Sequence, residues 1–124
     1  MSFVLLRSIN RTMGRRHESL GEFELSVLLA IAHLGQGAYG VPIRQEIERR
    51  TGRTVAVGAL YTALDRLEKK GFLRSEMSDP TPERGGRSRR HFWLCAAGAE
   101  ALRRSRALMD SMWRGLKPDF KVGR

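Results

Sequence analysis

Between Val57 and Lys70 the chain carries Leu60, Leu64 and Leu67 at steps of four and three, with Ala63 beside them. At about 100° per residue these positions share one narrow sector of a helix. Gly71 ends the run. The opposite sector collects Gly58, Thr62, Asp65, Arg66 and Lys69, with Tyr61 on its margin. The segment therefore reads as a helix pinned by leucines on one side. Its other side is polar, net positive, and small at its N-terminal end. Any fold available to this chain must bury the first side and leave the second free.

Two helices are predicted upstream. Ser19-x-x-Glu22 has the form of a capping box, which satisfies orphan amides at a helix start. Leu20, Phe23, Val27, Ile31 and Leu34 then repeat at three- and four-residue steps, with Leu28 beside them, until Gly35 and Gly37. A second helix starts near Val41, with Pro42 in the first turn, where its missing N–H is not needed. Ile43 and Ile47 form its apolar side, Arg44, Arg49 and Arg50 lie elsewhere on its surface, and Gly52 stops it.

Downstream, residues 72–78 and 90–95 read as two strands. They bracket a segment, 79–89, that contains Pro80, Pro82, Gly85 and Gly86. Turn residues between strand-like runs predict a β-hairpin with a long loop. The loop ends in Arg84, Arg87, Arg89 and Arg90, four cations within seven positions. Residues 96–116 then form a long helix, with Leu102, Ser105, Met109, Met112 and Leu116 as a heptad-type seam of about two heptads. Trp113 stands beside that seam.

The order helix, helix, helix, hairpin, helix predicts a mainly α fold with a small β-hairpin: a winged helix-turn-helix domain followed by a long C-terminal dimerisation helix. The domain spans 18–95, the helix 96–117 and a frayed tail 118–124. Residues 1–17 differ from the rest. Arg7, Arg11, Arg15 and Arg16 stand there without an acid among them. The segment reads as a mobile basic arm or, as readily, a frayed terminus.

Charge sets the class of partner. Lys and Arg number 23 against 13 Asp and Glu, a formal net charge of +10. That excess favours a polyanion, because cations beside phosphates release condensed counterions. In a helix-turn-helix the later helix of the pair lies in the major groove. The third helix fits that role, its amide-bearing start aimed at phosphate. The arginines of the hairpin tip would reach phosphates or a narrow minor groove. Charge alone equally suits a basic architectural or RNA-binding protein without sequence preference. Catalysis has no support: there is no phosphate loop before a Lys, no His-Glu-x-x-His and no plausible triad. No cofactor is expected. Cys95 is the one cysteine, so no intrachain disulfide can form. His17, His33 and His91 lack metal-ligand spacing. Phe3–Leu6 is too short an apolar stretch for a signal or a membrane span. A cytoplasmic location without membrane contact is expected.

Three blocks carry a family resemblance: LSVLLAIAHLGQGAYGVPIRQEIE at 25–48, ALYTALDRLEKKGFL at 59–73 and GGRSRRHFWLCAAG at 85–98. Together they resemble the PadR family of transcriptional regulators, in the short form with one C-terminal helix. The resemblance implies a dimeric repressor joined through that helix and bound to a pseudo-palindromic operator in double-stranded DNA. It also implies, for some members, a small aromatic or drug-like effector near the dimer interface. Carried over by position, Tyr61 is the phosphate-contacting tyrosine of the recognition helix. Tyr39 and Gly40 are the Tyr-Gly that opens the second helix near the DNA backbone, and Arg87 is the wing arginine. Gly58, Thr62, Arg66, Lys69, Arg89 and Arg90 join the DNA set on the helical-sector and charge readings. Leu102, Ser105, Met109, Met112, Trp113 and Leu116 make up the dimer set.

The chain departs from the family pattern in three places. Ala56-Val57-Gly58 replaces Ser-Pro-Gly, leaving Thr54 as the nearest hydroxyl for capping. Leu94-Cys95 replaces Leu-Thr, weakening another cap. Val41-Pro42 replaces an aromatic and an acid. Plainer readings stand beside the functional ones: Tyr61 as a half-buried core tyrosine, Trp93 as packing, Trp113 as seam rather than a drug-stacking platform, Cys95 as structural, and Asp65 and Glu68 as solubilising or salt-bridging acids on different helix faces.

Overall fold

The computed structural model describes residues 20–35, 37–78 and 88–123. In chain order the elements are α1 (Glu22–Leu34), β1 (Ala38–Tyr39), α2 (Gly40–Thr51), α3 (Val57–Lys69), β2 (Leu73–Met77), β3 (Arg90–Leu94) and α4 (Ala96–Trp113). The fold is mainly helical, with four helices among the described residues. The strands form a three-stranded antiparallel sheet in the order β1-β3-β2.

The helix starts differ from those expected. α1 begins at Glu22 with Gly21 as its N-cap, not at Ser19, which lies outside the described residues. Gly21 donates its N–H to the Glu24 carboxylate at 3.2 Å, so the reciprocal half of a capping box forms without a hydroxyl. Glu22 instead accepts from Arg53 at 2.8 Å. α3 starts on Ala56 with no side-chain cap, so Thr54 does not take the missing serine's place. Cys95, at the start of α4, gives no side-chain cap either.

The short strand β1 was not expected. Two residues are too few to show a period. The strand is set by pairing: Ala38 faces Phe92 and Tyr39 faces His91. β2 pairs with β3 from Leu73↔Leu94 to Met77↔Arg90. Side chains alternate across the sheet. Leu73 and Phe92 are buried on its inner face.

The core joins the three-helix unit to that inner face. Val27, Leu28 and Ile31 from α1, Ile43 and Ile47 from α2, and Leu60, Ala63, Leu64 and Leu67 from α3 are all buried with Leu73 and Phe92. Leu20 and Phe23 pack on its edge. Leu34, expected in the apolar stripe, is exposed at the last turn of α1. Val55 fills the gap between α2 and α3, where it is buried and its N–H donates to Glu48 Oε2 at 2.7 Å.

One buried carboxylate holds the arginine that links the ends of α1 and α2. Glu46 accepts from Arg49 Nη2 at 2.8 and 2.9 Å and from Arg50 Nε, while Arg50 also reaches His33 Nδ1 at 3.3 Å. The hydrogen bond from Arg50, then that from Arg49, hold the Glu46 carboxyl at about 2, against the cost of burial. A folded-state value below the ordinary 4.5 means that Glu46 stabilises the fold fully above pH 4.5. That contribution is lost as the pH falls toward 2. Thermal melts between pH 5 and pH 2.5 should therefore fall more steeply for the wild-type chain than for Glu46→Gln; parallel curves would contradict the assignment.

Candidate nucleic-acid interface

α3 has three sides. Leu60, Ala63, Leu64 and Leu67 are buried in the core. Gly58, Thr62, Arg66 and Lys69 are exposed on the side away from it, as the leucine spacing predicts. Tyr61, Asp65 and Glu68, at steps of four and three, form a ridge between the two. That ridge meets the sheet and the start of α2, an arrangement the two-sided sequence reading did not resolve.

Tyr61 lies across the start of α2. A Cβ placed on Gly40 would sit 2.2 Å from the Tyr61 hydroxyl oxygen and 2.9 Å from Cζ, so only glycine admits the ring there. Tyr61 keeps 37% of its surface exposed, and its hydroxyl is held at the first turn of α2. α2 has no side-chain cap, since its N-cap is Tyr39. The first-turn amides of α2 and α3 are thus without side-chain acceptors, which makes both helix starts suitable for anions.

Tyr39 joins this corner from β1. The Arg89 guanidinium stacks over its ring at 4.3 Å, and His91 meets the ring edge-on at 5.7 Å. His91 is itself fixed, its Nδ1–H donating to the Gly37 carbonyl at 2.6 Å. Ser78 N–H donates to the Arg89 carbonyl at 2.7 Å and Arg89 N–H to Ser78 Oγ at 3.0 Å, closing the base of the hairpin. On the outer sheet face Arg74 stacks on Trp93 at 4.4 Å, so Trp93 packs as expected. Arg87 and Gly85–Gly86 lie outside the described residues.

Arg90, expected as a DNA contact, turns its guanidinium to neighbouring side chains. Its guanidinium is engaged by Asp65 Oδ1 at 2.8 Å, by Glu68 Oε1 and by Ser75 Oγ at 3.2 Å. The β3 alternation turns it inward with Phe92, toward α3. Asp65 and Glu68, expected on different faces, converge on this one group. Both acids form salt bridges with it. The hydrogen bonds from Ser75 and Arg90 hold the Glu68 carboxyl below its ordinary value, although burial alone would raise it.

The dimer set divides as well. Leu102 packs against the domain's own core, and Ser105 is half-buried. Met109, Met112, Trp113 and Leu116 are exposed, and so is Leu108, which lies off the heptad spacing. α4 ends at Trp113 rather than Leu116. Gly115 turns the chain at a φ of 84°, and the Phe120 ring returns to 6.4 Å from the Trp113 ring, centre to centre.

The transcriptional regulator PadR-like family matches residues 28–104. The chain belongs to this family. Among solved structures, hsRosR in its complex with S1 is 25% identical with a TM-score of 0.63, covering 77% of this chain and 78% of that one. A PadR-like transcription factor from Bacteroides fragilis is 23% identical with a TM-score of 0.63, covering 84% and 91%. F93 from STIV, a winged-helix DNA-binding protein, is 19% identical with a TM-score of 0.57, covering 71% and 87%. The last two establish the winged-helix fold for this PadR-like chain. No curated protein sequence matches it. Transcriptional regulation is not an enzymatic class. Among the described residues no helix is long and apolar enough to cross a membrane.

Gly40→Ala should swing the Tyr61 ring off the start of α2 and, if that hydroxyl serves a phosphate, cost about tenfold in DNA affinity. Tyr61→Phe should lose a similar amount while melting like the wild-type chain. An unchanged affinity in both variants would remove Tyr61 from the interface.

Proposed function

We propose that this PadR-like chain is a dimeric repressor that binds a pseudo-palindromic DNA operator in the cytoplasm. The observation that carries the reading is the corner where Tyr61, Gly40, Tyr39 and Arg89 meet. It puts a phenol, a cation and two uncapped helix starts beside the exposed Thr62, Arg66 and Lys69 face of α3. Such a surface suits a phosphate backbone flanking a groove. Gly58, with nothing within 4 Å of an added Cβ, leaves room for close approach at the start of α3. Arg87 is proposed as a further wing contact from the family resemblance. The exposed stripe of α4 joins two copies. Trp113, flanked there by Met109 and Met112, belongs to that seam, and an aromatic or drug-like effector near the dimer interface is proposed from the family resemblance.

Footprinting on the DNA upstream of the chain's own gene tests the reading. Two protected half-sites about one helical turn apart are expected; no protection at any salt concentration would refute it. Competition with unrelated duplexes separates it from a basic nucleic-acid binder without sequence preference, which would bind every duplex equally. The contacts divide by role. Arg89→Ala should weaken binding to all sequences and lower the salt slope by about one. Thr62→Ala and Arg66→Ala should instead change which base is preferred, by about 1–3 kcal/mol at the affected position. Uniform losses across sequences from all three would contradict this division.

A further inference from the structure

A helix offered to a polyanion ought not to carry unpaired acids beside the face it presents. α3 carries two, Asp65 and Glu68, and both are taken up by Arg90 of β3. Ser75 completes the cluster. Its hydroxyl lies 2.9 and 2.8 Å from the two Glu68 oxygens and accepts from Arg90 Nε. The cluster is partly withdrawn from water, Arg90 being 29% and Glu68 33% exposed. The Arg90 guanidinium also lies 4.9 Å over the buried Phe92 ring, so its stem is fixed from below.

The connectivity gives this cluster its consequence. Arg90 is the first residue of β3, paired with Met77, the last residue of β2. It follows directly on Arg89, whose backbone closes the hairpin base against Ser78. A single side chain therefore connects the root of the hairpin to the middle of α3, at positions four and seven residues beyond Tyr61. Planar donors in a fixed fork can serve two carboxylates and hold both elements at one spacing; a lysine ammonium holds them less precisely.

We propose that Arg90 is a positioning residue that locks the hairpin to α3 and cancels the charge of Asp65 and Glu68, rather than a residue that touches DNA. The proposal rests on the DNA-binding reading above. It gives the Arg89–Tyr39 stack and the Thr62–Arg66 face a fixed separation, so that phosphate contact and base contact are made together.

The test turns on a sign. If Glu68 is a bystander acid, Glu68→Gln removes a negative charge near DNA and binding tightens. If Glu68 holds Arg90 in place, the same substitution weakens binding, by about fivefold for an ion pair this exposed. Affinity for the footprinted duplex is measured for the wild-type chain and for Glu68→Gln, Arg90→Met, Arg90→Lys, Arg89→Ala and the pairwise combinations, each with a melting curve. Expected results are weaker binding by Glu68→Gln, an Arg90→Met/Glu68→Gln double variant no weaker than Arg90→Met, and partial recovery in Arg90→Lys. Arg90→Met and Arg89→Ala should be non-additive, because the first acts through the placement of the second. A purely structural role would lower the melting temperature and leave the two substitutions additive in affinity, which overturns the proposal. So does a Glu68→Gln variant that binds more tightly, or a salt slope that falls by about one in Arg90→Met whether or not Glu68 is present. A wild-type chain that binds no duplex overturns the DNA reading and this proposal together; tight wild-type binding with additive variants overturns the proposal alone.

Discussion

Gly98→Ala is expected to destabilise the protein by about 3 kcal/mol, a drop of roughly 10 °C in melting temperature. Gly98 is buried in the first turn of α4. A Cβ there would lie 2.3 Å from the Phe72 carbonyl oxygen and 2.8 Å from Leu94 Cδ1. The leucine methyl can rotate away. The carbonyl cannot, because it belongs to the turn between α3 and β2 and accepts the Cys95 N–H at 3.0 Å. An added methyl must therefore lift α4 from the domain or break that hydrogen bond, and either one exposes Ala101 and Leu102, which now pack inward. Gly58→Ala is the control, with the opposite sign. Nothing lies within 4 Å of its added Cβ, and an exposed helical glycine costs about 1 kcal/mol relative to alanine. That variant should melt higher while binding DNA less tightly. Equal melting temperatures for Gly98→Ala and the wild-type chain would show that α4 is not seated as described.

The element order was legible because each of the first three helices advertises itself twice, by a leucine or isoleucine period and by a glycine stop. Gly52 and Gly71 do take positive φ values, 73° and 81°, just past α2 and α3. What the sequence hid were pairings between distant residues. No local pattern announces that Tyr39 pairs with His91, because β1 exists only as the partner of β3. The helical period puts Asp65 beside Arg66 and Lys69. It has no way to show that an arginine 25 positions later claims the acid. The charge run at Arg89–Arg90 looked uniform, yet strand alternation sends the first to Tyr39 and the second to α3. Gly40 could be read only as a family position, its need for glycine coming from a tyrosine on another helix. In α4 the period alone could not show that Leu102 packs on the domain's own core while Met109 and Met112, on the same stripe, stay exposed.

That divided stripe underlies the second large effect. α4 has 18 residues, about 27 Å at 1.5 Å per residue, and its buried residues, Gly98 and Ala101, are confined to its first two turns. Beyond Ser105 the apolar side continues without cover: Leu108 is 62% and Met112 70% exposed, with Met109, Trp113, Leu116 and Phe120 also open to solvent. Monomeric proteins rarely leave so continuous an apolar surface bare, which is why a second copy of α4 is the proposed occupant. Met112→Glu adds a charge where the single chain loses no packing, so its melting at low concentration should change little. In a dimer the same carboxylate would be buried without a partner, a cost of several kcal/mol. Sedimentation should then show a monomer. Affinity for a two-half-site operator should fall by about 100-fold or more as bivalent binding is lost, while affinity for a single half-site stays as it was. Leu102→Ala should act the other way round, lowering the melting temperature through lost core contact, by about 1–2 kcal/mol, with the association state kept. A wild-type chain that sediments as a monomer at micromolar concentration, or a Met112→Glu chain that still binds both half-sites as tightly, would remove α4 from the proposed interface.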